Sequence, residues 1–290
     1  MFKPALCRGM CAALVLLTLF VMLAKPVTAS HVWGPYHWLR PSSAIRNIPV
    51  RRYHSAIWLT RYATAIADWR KPAMTKIKPY TAFLGPYTPS CPTFNGQVSS
   101  CDGSYGTGTG WLGLATIYLS GSHIVRGKSR VNNSYFVLPA YNTVAWRQFV
   151  ICQEIGHNWG LGHVNVVFNN PNTGSCMDYT NDPDGGPGGA SPSDPNNMHP
   201  NAHDYSLINS KHNHIGATPP TLLSGPDTAD LPEPTVEETS AMKAYNPMRL
   251  EDFGQLVYSG DGGRTEVYQV DFGNGHKALN HVIWAKKPRP

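Results

Sequence analysis

Charge is scarce in this chain. Of 290 residues, 14% are charged, well below the usual quarter, which excludes a coiled coil or a long solvated helix and leaves a loop-rich globular protein. No apolar run reaches the ~20 residues that a membrane-spanning helix needs. Lys and Arg number 24 against 18 Asp and Glu, and three of the cations, Lys3, Arg8 and Lys25, lie in the first 29 residues. The remainder carries only 21 cations against 18 acids, too few and too scattered to take nucleic acid as a partner. Cysteine is limited to six positions, and no internal repeat is present. Glycine and proline are plentiful, at 27 and 25, and call for many turns.

The amino terminus has the organisation of a secretory signal. Lys3 and Arg8 precede the apolar run Cys11 to Ala24, and Val27-Thr28-Ala29 supplies small residues for cleavage. Residues 1–29 are therefore expected to be removed, giving a secreted protein with no stable membrane association. Cys7 and Cys11 leave with that segment. Four cysteines remain, Cys91, Cys101, Cys152 and Cys176, an even count that favours two disulfides in an exported chain, with three pairings open. Cys91 and Cys101 flank a short Pro/Gly/Ser segment that reads as a closed loop.

The hydrophobic periodicity lays out one large domain, 30–215. Ile57, Trp58, Tyr62, Ile66 and Trp69 recur at helical spacing, and Pro72 ends the run. A short strand is expected within Ala73–Tyr80. Leu112–Ser120 and Ile124–Asn132 read as two strands joined at Gly121-Ser122. Gly108, Gly110 and Gly113 match the spacing of a dinucleotide-binding fingerprint, but they precede a strand instead of following one, and the match is read as chance. Asn142 or Thr143 caps a helix through Trp146, Phe149 and Cys152 to about Trp159, where Gly160 permits a left-handed exit. A long Asn/Gly/Pro/Asp loop covers Asn169–Asn201, and a short helix resumes at His203–Ile208. Residues 216–235 read as a linker. Residues 236–290 read as a small β-rich segment with strands at Gln255–Ser259, Thr265–Phe272 and His281–Ala285.

Chemistry concentrates in Gln153–His163. On a helix, positions four apart share a face, so Gln153 and His157 point the same way, with Glu154 one position round. A reversal at Gly160 brings His163 back as a third group. Zinc hydrolases take three protein ligands and keep a fourth place for water, and a neighbouring carboxylate handles the proton. Glu154 is the candidate general base; His157, His163 and Gln153 are the candidate ligands of one catalytic Zn2+.

Glu154, His157, Gly160 and His163, followed by Ser175-Cys176-Met177-Asp178-Tyr179, resemble the zinc-binding motif and Met-turn of the metzincin peptidases. The stretch from about Cys91 to Tyr205, and more loosely the tail from Gly263, is similar to bacterial secreted reprolysin- or matrixin-like proteins. The resemblance implies an α/β zincin-like fold: a twisted mixed sheet, an active-site helix, and a smaller lower subdomain carrying the Met-turn. It implies Met177 as an apolar floor beneath the metal and Tyr179 as an oxyanion donor. It also implies that Leu114–Ser120 is an open sheet edge that pairs with an extended polypeptide substrate, and that Thr180–Met198 walls a substrate pocket. Cys152 and Cys176 would lie together under the metal, which favours bridges 91–101 and 152–176.

The motif departs from that family at Gln153, which stands where the first histidine ligand belongs. An amide oxygen is a weaker, harder donor than an imidazole nitrogen, so zinc should be held less tightly. The function expected is a secreted metalloendopeptidase, a monomer. The alternative is an inactive pseudoprotease that binds peptides or proteins in the retained cleft. Asp182–Gly186 offers oxygen ligands for calcium but reads more readily as a surface turn. His199, His203, His212 and His214 were weighed as another metal site and are expected at the surface, because Pro200 keeps His199 and His203 off one regular helical face.

Overall fold

The computed structural model describes residues 31–186, 193–215 and 239–285. The expected signal segment 1–29 and linker 216–235 lie outside them. The architecture is α+β: one large mixed sheet with few helices. Its strands are β1 (His37–Trp38), β2 (Arg46–Tyr53), β3 (Ile77–Leu84), β4 (Val98–Gly103), β5 (Trp111–Ser120), β6 (His123–Asn132), β7 (Gln255–Gly260), β8 (Thr265–Gly273) and β9 (His276–Trp284). The spatial order is β3-β2-β4-β6-β5-β9-β8-β7, and β1 pairs with β6. The strands β3, β2, β4 and β6 run parallel, whereas β5, β9, β8 and β7 continue antiparallel.

Helix α1 (Leu59–Trp69) follows the apolar spacing read from the sequence, burying Tyr62, Ile66 and Trp69. After the short α2 (Asn133–Phe136), helix α3 (Val144–His157) starts at Thr143, whose side chain accepts from the Trp146 N–H. It is buried along nearly its whole length, from Ala145 to His157, because it lies between the sheet and the lower segment. Helix α4 (Ala202–Lys211) opens with a reciprocal capping box between Asn201 and Asp204, and α5 (Ser240–Ala244) follows later. The main core joins α1, α3 and one sheet face through Trp58, Trp69, Phe149, Ile155, Ile117 and Leu279.

Both expected disulfides are formed, Cys91–Cys101 and Cys152–Cys176. The second ties the middle of α3 to the residue before Met177.

Three expectations are corrected. Leu114–Ser120 is not an open edge: β9 runs antiparallel along it from Trp111↔Trp284 to Ser120↔His276. The first two carboxy-terminal strands are close to where the sequence placed them, the third begins at His276 instead of His281, and all three extend the main sheet. They do so because β9 is apolar on both faces, with Leu279 and Ile283 in the main core and Val282 packed with Trp111 and Phe253. His212 is buried, not exposed, because both ring nitrogens are satisfied: Nδ1 donates to the Ile208 carbonyl at 2.8 Å, and Nε2 accepts from the Trp38 N–H at 3.1 Å.

Candidate metal centre

The end of α3 carries Gln153, Glu154 and His157, and the exit from the helix brings His163 back beside His157. The chain leaves the helix through Gly160, at φ +80°, where a Cβ would sit 2.3 Å from the Tyr36 carbonyl oxygen. Only glycine meets both the left-handed backbone and that close approach. The turn is clamped by the segment before β1, since the Trp33 N–H donates to the Gly160 carbonyl and the Gly162 N–H to that of His31. The rings of His157 and His163 then stand 4.8 Å apart, centre to centre.

Each ligand candidate has one polar atom held by a protein oxygen and the other left over. Gln153 Nε2 donates to the Asp178 carbonyl at 2.6 Å; a carbonyl can only accept, so this bond fixes which end of the amide is nitrogen. Its Oε1 is buried with no partner among the described residues. His157 Nδ1 donates to the Leu161 carbonyl at 2.8 Å, which leaves the lone pair on a buried, unpartnered Nε2. His163 Nδ1 meets Thr265 Oγ1 at 3.0 Å, and its Nε2 is likewise buried without a partner. Metal-binding histidines are oriented in this way, with the far nitrogen on an oxygen and the near one facing the ion.

Glu154 completes the set. It is fully buried, and neither carboxylate oxygen has a partner among the described residues. Burial pushes its pKa well above the ordinary carboxylate value, while burial lowers the imidazoles, His157 to about 4 and His163 well below 6.5. The rings are therefore neutral at pH 7 with lone pairs available. Gly113 on β5 makes the room for Glu154: a Cβ there would lie 2.1 Å from Glu154 Oε1. The glycine that looked like part of a chance fingerprint is the floor under the carboxylate.

Met177 is fully buried beneath the helix, where a Cβ on Gly156 would meet its sulfur at 2.3 Å. The turn around it is braced by Ser175, whose hydroxyl donates to Asp204 and accepts from the Met177 N–H. The Tyr179 ring centre lies 6.0 Å from that of His163, and its hydroxyl donates to the Arg264 carbonyl at 2.9 Å. Asn197 is pinned to this turn, its Oδ1 accepting from the Gly174 and Ser175 N–H groups; residues 187–192 of the expected Thr180–Met198 wall lie outside the described residues. In Asp182–Gly186, the carbonyls of Asp182 and Pro183 already accept protein hydrogen bonds.

Sequence reasoning missed three contributors. Thr265, Arg264 and His281 all come from the carboxy-terminal strands. His281 stacks on His157 at 4.2 Å between ring centres and is buried beside Trp33. It covers the site but is not drawn in as a third imidazole ligand. Among the described residues, three His, Cys, Asp or Glu side chains bring donor atoms within 4.8 Å of one another at one place only, away from the motif. The one available signal was a histidine on the apolar Leu279–Ile283 face of a strand. A cavity of about 1030 Å³, lined by Tyr105, Tyr135, Arg249, Glu266 and Trp284 among others, includes none of the motif residues.

No family model matches this chain, and no curated protein matches it. Among the described residues no helix is long and apolar enough to cross a membrane.

Proposed function

We propose that the protein is a secreted zinc-dependent endopeptidase of metzincin type, held latent by its own strand β9. The observation that carries this reading is the set of three buried lone pairs, on Gln153 Oε1, His157 Nε2 and His163 Nε2. Each is left unpartnered among the described residues while the other polar atom of its group is engaged by a protein oxygen. Orphaned polar atoms inside a protein cost about 1–3 kcal/mol each, and a cation placed among them removes that cost. When bound, zinc supplies a Lewis acid that polarises the peptide carbonyl and brings the pKa of water to about 7.

Gln153, His157 and His163 would hold the ion. Glu154, one position along the same helix, unpartnered and supported on Gly113, would take a proton from the attacking water and pass it to the leaving amine. Met177 fills the space below the helix. The Tyr179 hydroxyl is occupied by the Arg264 carbonyl in the closed form and becomes available to the oxyanion when the carboxy-terminal strands withdraw. The two disulfides suit an oxidising compartment, in keeping with export.

The test is zinc content after dialysis against zinc, together with cleavage of an unfolded generic protein with and without chelator. Glu154→Ala should keep the zinc and the fold and lose the cleavage. Failure to take up zinc, or equal cleavage with and without Glu154→Ala in a variant that loosens β9 such as Leu279→Ala, ends the proposal. A second reading, a non-hydrolytic binding protein, draws on the burial of Glu154 and the pairing of β9 along β5, which together leave no edge for a substrate. Zinc uptake without cleavage, even in variants that loosen β9, would favour it.

A further inference from the structure

A second cluster of ligand-type side chains lies away from the motif. His37 on β1, His123 at the start of β6 and His214 just beyond α4 bring one ring nitrogen each to within 4.8 Å of one another. The parallel pairing of β1 with β6 sets His37 directly opposite His123, and the end of α4 carries His214 over both. Their ring centres are 5.0 Å apart for His37 and His123, 4.9 Å for His37 and His214, and 5.9 Å for His123 and His214. Two of these rings present the feature seen at the motif. His37 is buried to nine-tenths; its Nδ1 donates to the Pro35 carbonyl at 2.7 Å, and its Nε2 is inaccessible and unpartnered among the described residues. His123 Nε2 is unpartnered in the same way.

We infer that His37, His123 and His214 form a second metal site, selective for a divalent transition ion such as zinc. Ligand nitrogens around tetrahedral zinc stand about 3.3 Å apart, given Zn–N distances of 2.0–2.1 Å. The trio therefore closes on an ion by side-chain rotation, most of it from the exposed His214. Three neutral imidazoles select zinc, nickel or copper over calcium and magnesium, which want oxygen. Burial lowers the pKa of both His37 and His123, which keeps their nitrogens deprotonated at neutral pH.

The position gives the site a task. The segment just before His37 is the one that clamps the motif turn at Gly160 and Gly162, and the next residue, Trp38, donates from its indole to the Asn158 carbonyl at 2.7 Å. An ion at the trio ties β1, β6 and the end of α4 into one unit. It thereby fixes the strap against the end of α3 without touching Gln153, His157 or His163.

The site is independent of the catalytic reading, and the experiment keeps them apart. Tag-free mature protein is equilibrated with micromolar zinc, and bound metal is counted in three forms: wild type, the His157→Ala/His163→Ala double variant, and that double variant with His214→Ala added. His214 is exposed, so its replacement leaves the fold intact. The double variant should retain one zinc per chain, and the triple variant none. A single His123→Gln in the double variant should have the same effect as His214→Ala. If the double variant binds no zinc, or if its zinc survives both His214→Ala and His123→Gln, the second site does not exist. Loss of zinc from the wild type on His157→Ala/His163→Ala reports on the motif alone.

Discussion

Thr265→Val isolates the contribution of the carboxy-terminal strands to the candidate centre. Thr265 is fully buried, and its hydroxyl meets His163 Nδ1 at 3.0 Å. Valine keeps the shape and removes the oxygen, so the Nδ1 proton of a metal-bearing imidazole is left buried without an acceptor. Loss of such an outer partner typically lowers metal affinity 10–100-fold, or about 1.4–2.7 kcal/mol. At free zinc 100 times the wild-type Kd, binding stabilises the wild type by about 2.7 kcal/mol and the variant by only about 0.4–1.4 kcal/mol. For a chain of this size, that is a zinc-induced rise in Tm of roughly 5–11 °C for the wild type and roughly 1–6 °C for the variant. Zinc competition with a chromogenic chelator measures the affinity directly, and differential scanning calorimetry with and without zinc measures the shift. Thr265→Ser, which keeps the oxygen, should behave as wild type. Wild-type zinc affinity in Thr265→Val would mean that His163 does not hold the metal, and the reasoning from paired and orphaned nitrogens would fail with it.

Gly113→Ala forces Glu154 Oε1 back from 2.1 Å to the 3.4 Å of an ordinary contact. A retreat of over 1 Å should cost about 100-fold in kcat/KM with zinc content unchanged; undiminished cleavage would show that the carboxylate is not the base. Replacing Cys152 and Cys176 together with alanine opens a loop of 24-residue separation and should cost about 3.5 kcal/mol by loop entropy, read in guanidinium titrations; a loss under about 1 kcal/mol would show that the bridge is not what holds α3 to the Met177 turn. Burial lowers the pKa of His212 from 6.5 to about 3, so the unfolded chain binds the extra proton between those values. Stability should fall as pH drops below 6.5, with a slope of up to about 1.4 kcal/mol per pH unit from this group, and His212→Gln should flatten it; an unchanged slope would refute the assignment. Leu279→Ala loosens β9 from the core and should raise cleavage about 30-fold while lowering Tm; activity that only falls with Tm would argue against latency.

Local order in this fold was legible wherever one stretch of chain decides it. Thr143 caps α3 and Gly160 turns out of it because a cap and a left-handed exit depend on a few neighbouring residues. The spacing of Gln153, His157 and His163 carried the candidate ligands for the same reason; the Cys91–Cys101 bridge followed from the short loop between its ends, and Cys152–Cys176 from what the family resemblance implied. What stayed hidden depends on pairing across long separations. Whether β5 takes β9 as its neighbour is decided by apolar faces some 160 residues apart, and alternation within either strand does not name the partner. Thr265 and His281 inherit their places at the site from that pairing. Gly113 has no side chain to announce its contact, and His212 was misplaced because a histidine looks polar until both nitrogens are satisfied.

On the proposed reading, the strand that the sequence set apart would set the state of the site. Pairing between β5 and β9 uses the main-chain groups that an extended substrate would need, and a substrate that replaces β9 regains those hydrogen bonds at little net gain. The difference lies in the side chains. Leu279, Val282 and Ile283 are each at least 98% buried, and re-exposing them costs about 1.5–3 kcal/mol apiece, or about 5–9 kcal/mol together. An equilibrium set by that cost keeps the open form at roughly one part in 10³ to 10⁶. On the proposed reading, low cleavage by the closed form would follow without any defect at Gln153. A weakened ligand would lower zinc occupancy, whereas the closed strand would limit substrate access at any occupancy. The two effects separate in experiment, because excess zinc restores the first and leaves the second untouched.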